Sequence, residues 1–134
     1  MLVRRASHAA VPPYYTFQNR ATRTCLTGGI GIVSLTTCKD TNLSQQWLWT
    51  SKQQLKNRQS GLCLGVNTDS SLKIAWTESC DPNGTIAGQL WSYWSSGSDL
   101  QNGTGHWLYS SGTSAYVGGP ATQPVGSQYQ WDRI

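Results

Sequence analysis

Charge is scarce in this 134-residue chain: Lys, Arg, Asp and Glu together make up 12% of it, and only six residues are acidic. Glu78, Asp40, Asp69, Asp81, Asp99 and Asp132 form no pair in a frame that would set up acid–base hydrolysis. His8 and His106 stand alone, with no serine or cysteine nucleophile in evident partnership. The chain therefore reads as a non-enzyme. No two cysteines sit at zinc spacing, no Cys-x-x-Cys occurs and no calcium-loop pattern is present, so neither a metal nor a cofactor is implied. No apolar run approaches ~18 residues, which argues against membrane insertion. Apolar spacing of three and four is never sustained, which argues against long amphipathic helices. The net charge of +4 includes Arg4 and Arg5 near the start. No basic run interleaves with aromatics, so no nucleic-acid partner is indicated.

What is abundant is glycine, at 14 residues, and tryptophan, at seven, against one phenylalanine and one methionine. Short apolar runs bounded by Gly, Asn and Ser recur, which reads as all-β. The length fits one domain with one core. Residues 1–13 lack an apolar stretch before Pro12 and Pro13 and read as a linker, a tag remnant or the cut end of a longer chain. The domain is expected to span residues 14–134.

The four cysteines, Cys25, Cys38, Cys63 and Cys80, allow three pairings. Their separations of 13 and 17 residues fall within two similar segments, so local pairs, Cys25 with Cys38 and Cys63 with Cys80, are expected. Free buried thiols are the alternative. Disulfides would indicate an oxidising compartment and a secreted or extracellular protein. The sequons at Asn42, Asn83 and Asn102 fit that setting.

The chain repeats itself. Asn19, Arg20 and Cys25 superpose on Asn57, Arg58 and Cys63 without a gap, and a third copy begins at Leu100-Gln101-Asn102. In that copy Leu108 takes the cysteine position. Each copy leads to a tryptophan, Trp47, Trp91 or Trp131, spaced 44 and 40 residues apart. The copies cover about 14–50, 51–95 and 96–134. One copy cannot bury its apolar side alone, whereas three around an axis can. Four short strands per copy are expected, near 15–19, 24–27, 31–36 and 47–50 in the first. Six strands would close a barrel and six would cap it, which removes exposed edges. Phe17, Leu55, Leu100, Leu26, Leu64 and the three spaced tryptophans should fill the centre.

Cys-Leu, an apolar stretch, a second Cys and then Gln-x-Trp, about every forty residues, resembles the ricin-type lectin repeat. Gln45-x-Trp47 and Gln89-x-Trp91 match, and the third copy has Tyr129 for Gln. The resemblance implies a β-trefoil in which the motif tryptophans pack in the core and the motif glutamines bind loop backbone. The run Ser44-Gln-Gln-Trp47-Leu-Trp49-Thr-Ser, with Leu55, Cys63-Leu64-Gly65 and Cys80-Asp81, is similar to the N-terminal cysteine-rich domain of the mannose receptor family.

The same resemblance implies a glycan or glycoprotein partner, and other domains if the chain belongs to a longer parent. Galactose-binding lobes of the family carry an Asp after Cys-Leu, an aromatic two residues before the second Cys, and an Asn before the motif Gln. Here the first copy has Thr27, Thr36 and Ser44. The second has Gly65, Glu78 and Gly88, with Trp76 reaching the aromatic position if the strand carries an extra residue. The third has Ser110 and Gln128, with Tyr116 as its aromatic. No copy keeps the set. Mannose-receptor domains stack sulfated sugars on a tryptophan where this chain has Gln128. The expectation is a carbohydrate-binding module with an altered site, or else a degenerate trefoil serving protein interaction or targeting. Trp76, Trp107, Tyr109, Tyr116 and Gln128 are the candidate ligand-binding residues, with Trp94 a further unassigned ring.

Overall fold

The computed structural model describes residues 14–67 and 73–134; the leading segment 1–13 lies outside the described residues. Among these the chain forms fourteen short strands and three single 3-10 turns, 43–45, 87–89 and 127–129. The strands are β1 Tyr14–Tyr15, β2 Phe17–Asn19, β3 Cys25–Thr27, β4 Gly31–Ile32, β5 Ser34–Thr36, β6 Trp47–Trp49, β7 Leu55–Asn57, β8 Cys63–Val66, β9 Ala75–Glu78, β10 Trp91–Trp94, β11 Asp99–Asn102, β12 Trp107–Ser111, β13 Ser114–Gly118 and β14 Trp131–Arg133. Breaks at Thr16 and Val33 split two of the twelve expected strands, because Thr16 and Val33 turn their backbones to other partners. The Thr16 carbonyl accepts from the N–H of Ile134, and the Val33 N–H donates to Ala75.

A ring closes from β1 and β2 through β14, β11, β10, β7 and β6. The pairs β2–β14, β10–β11, β6–β7 and β1–β6 are antiparallel ladders. The two remaining joints are single contacts, the Asp99–Gln130 bridge and the Trp91 N–H to the Gln53 carbonyl. Three hairpins, β3–β5, β8–β9 and β12–β13, cover one end. They meet one another where Ile32 faces Trp76, Ser34 faces Ser114 and Ile74 faces Tyr116. This is a β-trefoil.

The core repeats in threes. Phe17, Leu55 and Leu100 are fully buried, as are Leu26, Leu64 and Leu108. Trp47, Trp91 and Trp131 fill the centre, each no more than 1% exposed. An indole N–H buried this deeply needs an acceptor. The three donate to the carbonyls of Leu26, Leu64 and Leu108 at 3.1, 2.9 and 3.0 Å.

The copies are stapled head to tail by asparagine. The side-chain amide of Asn57 donates to Ser44, that of Asn102 to Gly88 and that of Asn19 to Gln128. Each asparagine oxygen accepts backbone N–H groups of the turn that follows it. One residue type thus closes a turn and welds a seam, which is why it recurs in every copy.

The disulfides Cys25–Cys38 and Cys63–Cys80 form as expected from spacing, and no described cysteine is free.

The third copy corrects one expectation. Gln18 pairs with Cys25, Lys56 with Cys63, and Gln101 with Trp107. Trp107, not Leu108, therefore occupies the cysteine position, and Leu108 matches Leu26 and Leu64. The turn is one residue shorter: the Asn102 N–H bonds His106, whereas Asn19 and Asn57 reach Thr24 and Leu62. Gly105, at φ +96°, supplies the left-handed conformation of the tighter turn.

Candidate functional site

Each capping hairpin presents one face toward the 3-10 turn of its own copy, and the chemistry of that face differs in all three. Cross-strand partners and residues two apart point the same way. In the first copy this groups Thr27, Ser34 and Thr36. The two threonine hydroxyls are engaged: the Gln45 amide donates to Thr27, Thr36 and the Thr37 carbonyl, and Thr27 and Thr36 lie 2.7 Å apart. The Gln45 oxygen accepts from the Lys39 N–H at 2.9 Å.

In the second copy the same face carries Gly65, Trp76 and Glu78. The ladder runs from Cys63–Glu78 to Val66–Ala75 without an extra residue, so Trp76 stands opposite Gly65 and does not move into the aromatic position. Glu78 holds that position instead. Its carboxylate leans across Gly65, where a Cβ would come within 3.0 Å of the carboxylate carbon and oxygen. The Gln89 amide donates to Glu78 at 2.6 Å and to the Ser79 carbonyl, and its oxygen accepts from the Asp81 N–H. The carboxylate thus stands on β9 where the family pattern has its ring, and the ring stands two residues earlier on the same strand, opposite Gly65. The Trp76 indole nitrogen is buried and finds no partner among the described residues. Ile32, on the neighbouring strand, pairs with Trp76 and is 63% exposed, extending the apolar edge.

In the third copy the shifted register puts Tyr109 at the position assigned above to Ser110, with Tyr116 opposite it and Gly118 in the aromatic position. Ser110 turns inward, where its hydroxyl bonds Asn19. Tyr109 packs 5.8 Å from Tyr116 and 5.4 Å from Tyr129, ring centre to ring centre. Burial, and then the two neighbouring phenols, push the Tyr109 hydroxyl above its ordinary pKa. Tyr129 replaces the motif glutamine, and its ring takes the space over Gly119, where a Cβ would meet it at 3.1 Å. Gln128 is exposed beside this cluster.

Trp107 is displaced from the candidate set. It is 1% exposed, donates its N–H to the Pro120 carbonyl at 2.9 Å and offers no face to a ligand. The exposed indole beside it is Trp94, 43% exposed. Of the candidate residues, Tyr109, Tyr116 and Gln128 gather on the third copy and Trp76 stands on the second. The Glu78–Gln89 pair and Tyr129 escaped the sequence reading of ligand contacts. A carboxylate two residues before Cys80 was the visible signal of the first, and a ring in place of the motif glutamine that of the second.

Similar proteins carry the same architecture. A non-toxic homologue of type II RIPs from Momordica charantia, solved with α-methyl-D-galactoside, superposes with a TM-score of 0.75 at 19% identity, over 90% of this chain and 47% of that one. The Vibrio vulnificus hemolysin/cytolysin β-trefoil lectin with N-acetyl-D-lactosamine gives 0.66 at 20% identity, over 90% and 92%. ThreeFoil, a designed threefold-symmetric protein, gives 0.72 at 18%, over 90% and 97%. At these identities the likeness concerns the fold. Half of this chain, 67 residues, is 28% identical to the secretory phospholipase A2 receptor of Oryctolagus cuniculus, a member of the mannose receptor family, and spans 5% of that receptor's length. Three in-phase copies, two local disulfides and core tryptophans bonded to the carbonyls of Leu26, Leu64 and Leu108 accord with a match to the ricin-type beta-trefoil lectin domain over residues 13–118, the family to which this chain belongs.

Proposed function

We propose that the chain is a non-catalytic carbohydrate-binding module whose usual galactose set is replaced in all three copies, with the second copy carrying recognition. The observation behind this is the grouping of Glu78 and Trp76 on one hairpin face, with Gln89 of the 87–89 turn bonded to Glu78. A carboxylate accepts sugar hydroxyls through charge-assisted bonds, about twice as strong as neutral ones. An indole face packs on the apolar side of a pyranose, and the Gln89 amide fixes the carboxylate in place. The aromatic face of Tyr109, Tyr116 and Tyr129, beside Gln128, is a second and weaker contact, since it lacks a carboxylate. The disulfides and the receptor match support an extracellular setting, with a glycan or glycoprotein as partner. The small share of the receptor that the chain covers supports membership in a longer, multidomain parent.

A panel of neutral and sulfated glycans is the test. Binding that falls at least tenfold in Glu78→Gln and Trp76→Ala, with folding retained, supports the reading. A blank panel overturns it in favour of a protein-interaction domain. One observation favours that second reading: Ile32, which pairs with Trp76, is 63% exposed, and Ile30 two residues before it is 91% exposed.

A further inference from the structure

The outer wall of the β10–β11 hairpin carries a second constellation, distinct from the faces that the capping hairpins present to their 3-10 turns. Trp94 is 43% exposed, yet its ring is held on two sides. Its indole N–H donates to the side-chain oxygen of Gln101 at 2.9 Å. Its ring stands edge-on to Trp107, with centroids 5.8 Å apart and planes at 62°. Ser92 and Gln101 are cross-strand partners on the same face as Trp94. With Ser95 and Ser96 they line a shallow cleft beside the ring, and the depression continues past Ser92 to Gln53.

The fold does not demand an indole here. The equivalent positions, three residues after the other motif tryptophans, are Thr50 and Ile134. Covering Trp107 is a structural duty that an aliphatic side chain would meet, and it leaves much of the Trp94 surface in solvent. A ring already fixed by a hydrogen bond and an edge contact loses little freedom when a ligand stacks on it. The cleft next to the ring offers hydroxyls and amides, and a charge enters only farther along, where Arg133 lines the depression near Gln53. Concave sites of this kind, with one large apolar face and a few polar groups, suit a neutral ring that has both.

Building on the carbohydrate-binding reading, we propose that Trp94, Gln101 and the serines Ser92, Ser95 and Ser96 form an additional glycan subsite. It would take one pyranose unit of a neutral oligosaccharide stacked on Trp94, with the chain running toward Gln53.

The test follows the indole N–H signals of the seven tryptophans in 15N–1H spectra during titration with lactose, N-acetyl-D-lactosamine and triacetylchitotriose. The expected result is a saturable shift of the Trp94 signal. Trp94→Ala should abolish binding at this site, and Gln101→Ala, which keeps the ring but frees it, should weaken it several-fold. In both variants any response at Trp76 should persist. Preserved dispersion of the remaining indole signals reports folding, and should Trp94→Ala fail to fold, Gln101→Ala with the wild-type shift still decides. Movement of Trp76 alone overturns the subsite and leaves the carbohydrate reading standing. Silence at both indoles overturns the subsite, and a blank panel of sulfated glycans beside it overturns the carbohydrate reading as well. Movement of Trp94 alone supports the subsite and refutes recognition by the second copy.

Discussion

The Trp107 indole N–H reaches the Pro120 carbonyl at 2.9 Å, between the two positions that cysteines bridge in the other copies. Cys25 faces Thr36, Cys63 faces Glu78 and Trp107 faces Gly118; the second cysteine, or Pro120, follows two residues later. A hydrogen bond and a large buried ring thus stand where the first two copies have a covalent link. Trp107→Phe keeps most of the ring and removes the donor, so it should cost about 1 kcal/mol. Trp107→Ala also opens a cavity and should cost about 3–5 kcal/mol. Urea unfolding of both variants separates the two contributions. No loss in Trp107→Phe would mean that the N–H contributes nothing, and equal losses that the ring kept by phenylalanine contributes nothing.

The disulfides invite a direct comparison, because they close loops of similar length, 13 and 17 residues. Loop-closure entropy grows only with the logarithm of length. Replacing either pair by alanines should therefore lower stability by a similar amount, about 3 kcal/mol. Thermal or urea unfolding of Cys25→Ala/Cys38→Ala and Cys63→Ala/Cys80→Ala reads this out. A large asymmetry would show that strain or denatured-state structure, and not chain entropy, governs one of the bridges.

These features mark where the fold was legible and where it was not. Asn19, Asn57 and the motif tryptophans recur in phase because each performs a structural task, so the repeat, the core and the local disulfides could all be read along the chain. The register of the third copy could not. Its shorter turn hides between Asn102 and Trp107, where no cysteine marks the frame, and a slip of one residue exchanges inward and outward positions. That slip is why Ser110 stood in for Tyr109 and why Trp107 looked available. Glu78 was visible, but its lean across Gly65 belongs to two strands at once and cannot be read from either. Trp94 has no counterpart ring in the other copies, where Thr50 and Ile134 stand, so only its exposure and its bond to Gln101 distinguish it from a core ring.

Burial also sorts the three sequons. Asn102 is 2% exposed and its amide nitrogen holds the Gly88 carbonyl at 3.0 Å, so a glycan there is incompatible with the fold. Asn42 is half-buried, its side chain capping the turn at Ser44. Asn83 is exposed in the loop that Asp81 organises through the backbone N–H groups of Asn83, Thr85 and Ile86. Folded protein secreted from a eukaryotic host should carry glycan at Asn83 and none at Asn102. Peptide mapping by mass spectrometry checks this, and occupied Asn102 in folded material would contradict the seam described above.

Asp99 gives the fold a pH dependence of unusual sign. It is 1% exposed, one carboxylate oxygen finds no partner among the described residues, and the other accepts from Gln123 at 2.7 Å. Burial raises its pKa above the ordinary carboxylate value, and the Gln123 bond and Arg20 only partly offset that. Between the ordinary value, about 3.9, and the raised one, the folded state binds more protons than the unfolded state, so this residue's contribution falls as pH rises through that window. Asp81, held down by the Thr85 and Asn83 N–H groups, and Asp132, held down by Arg20, act in the opposite sense and lose their contribution on acidification. Total stability therefore mixes both signs. The difference between wild type and Asp99→Asn cancels Asp81 and Asp132, which both proteins share. That difference should move in favour of the wild type as pH falls from neutrality toward the ordinary aspartate range, and level off below it. Urea midpoints of the two proteins across this range give the answer, and a flat difference would show that Asp99 ionises in the folded chain as it does in water.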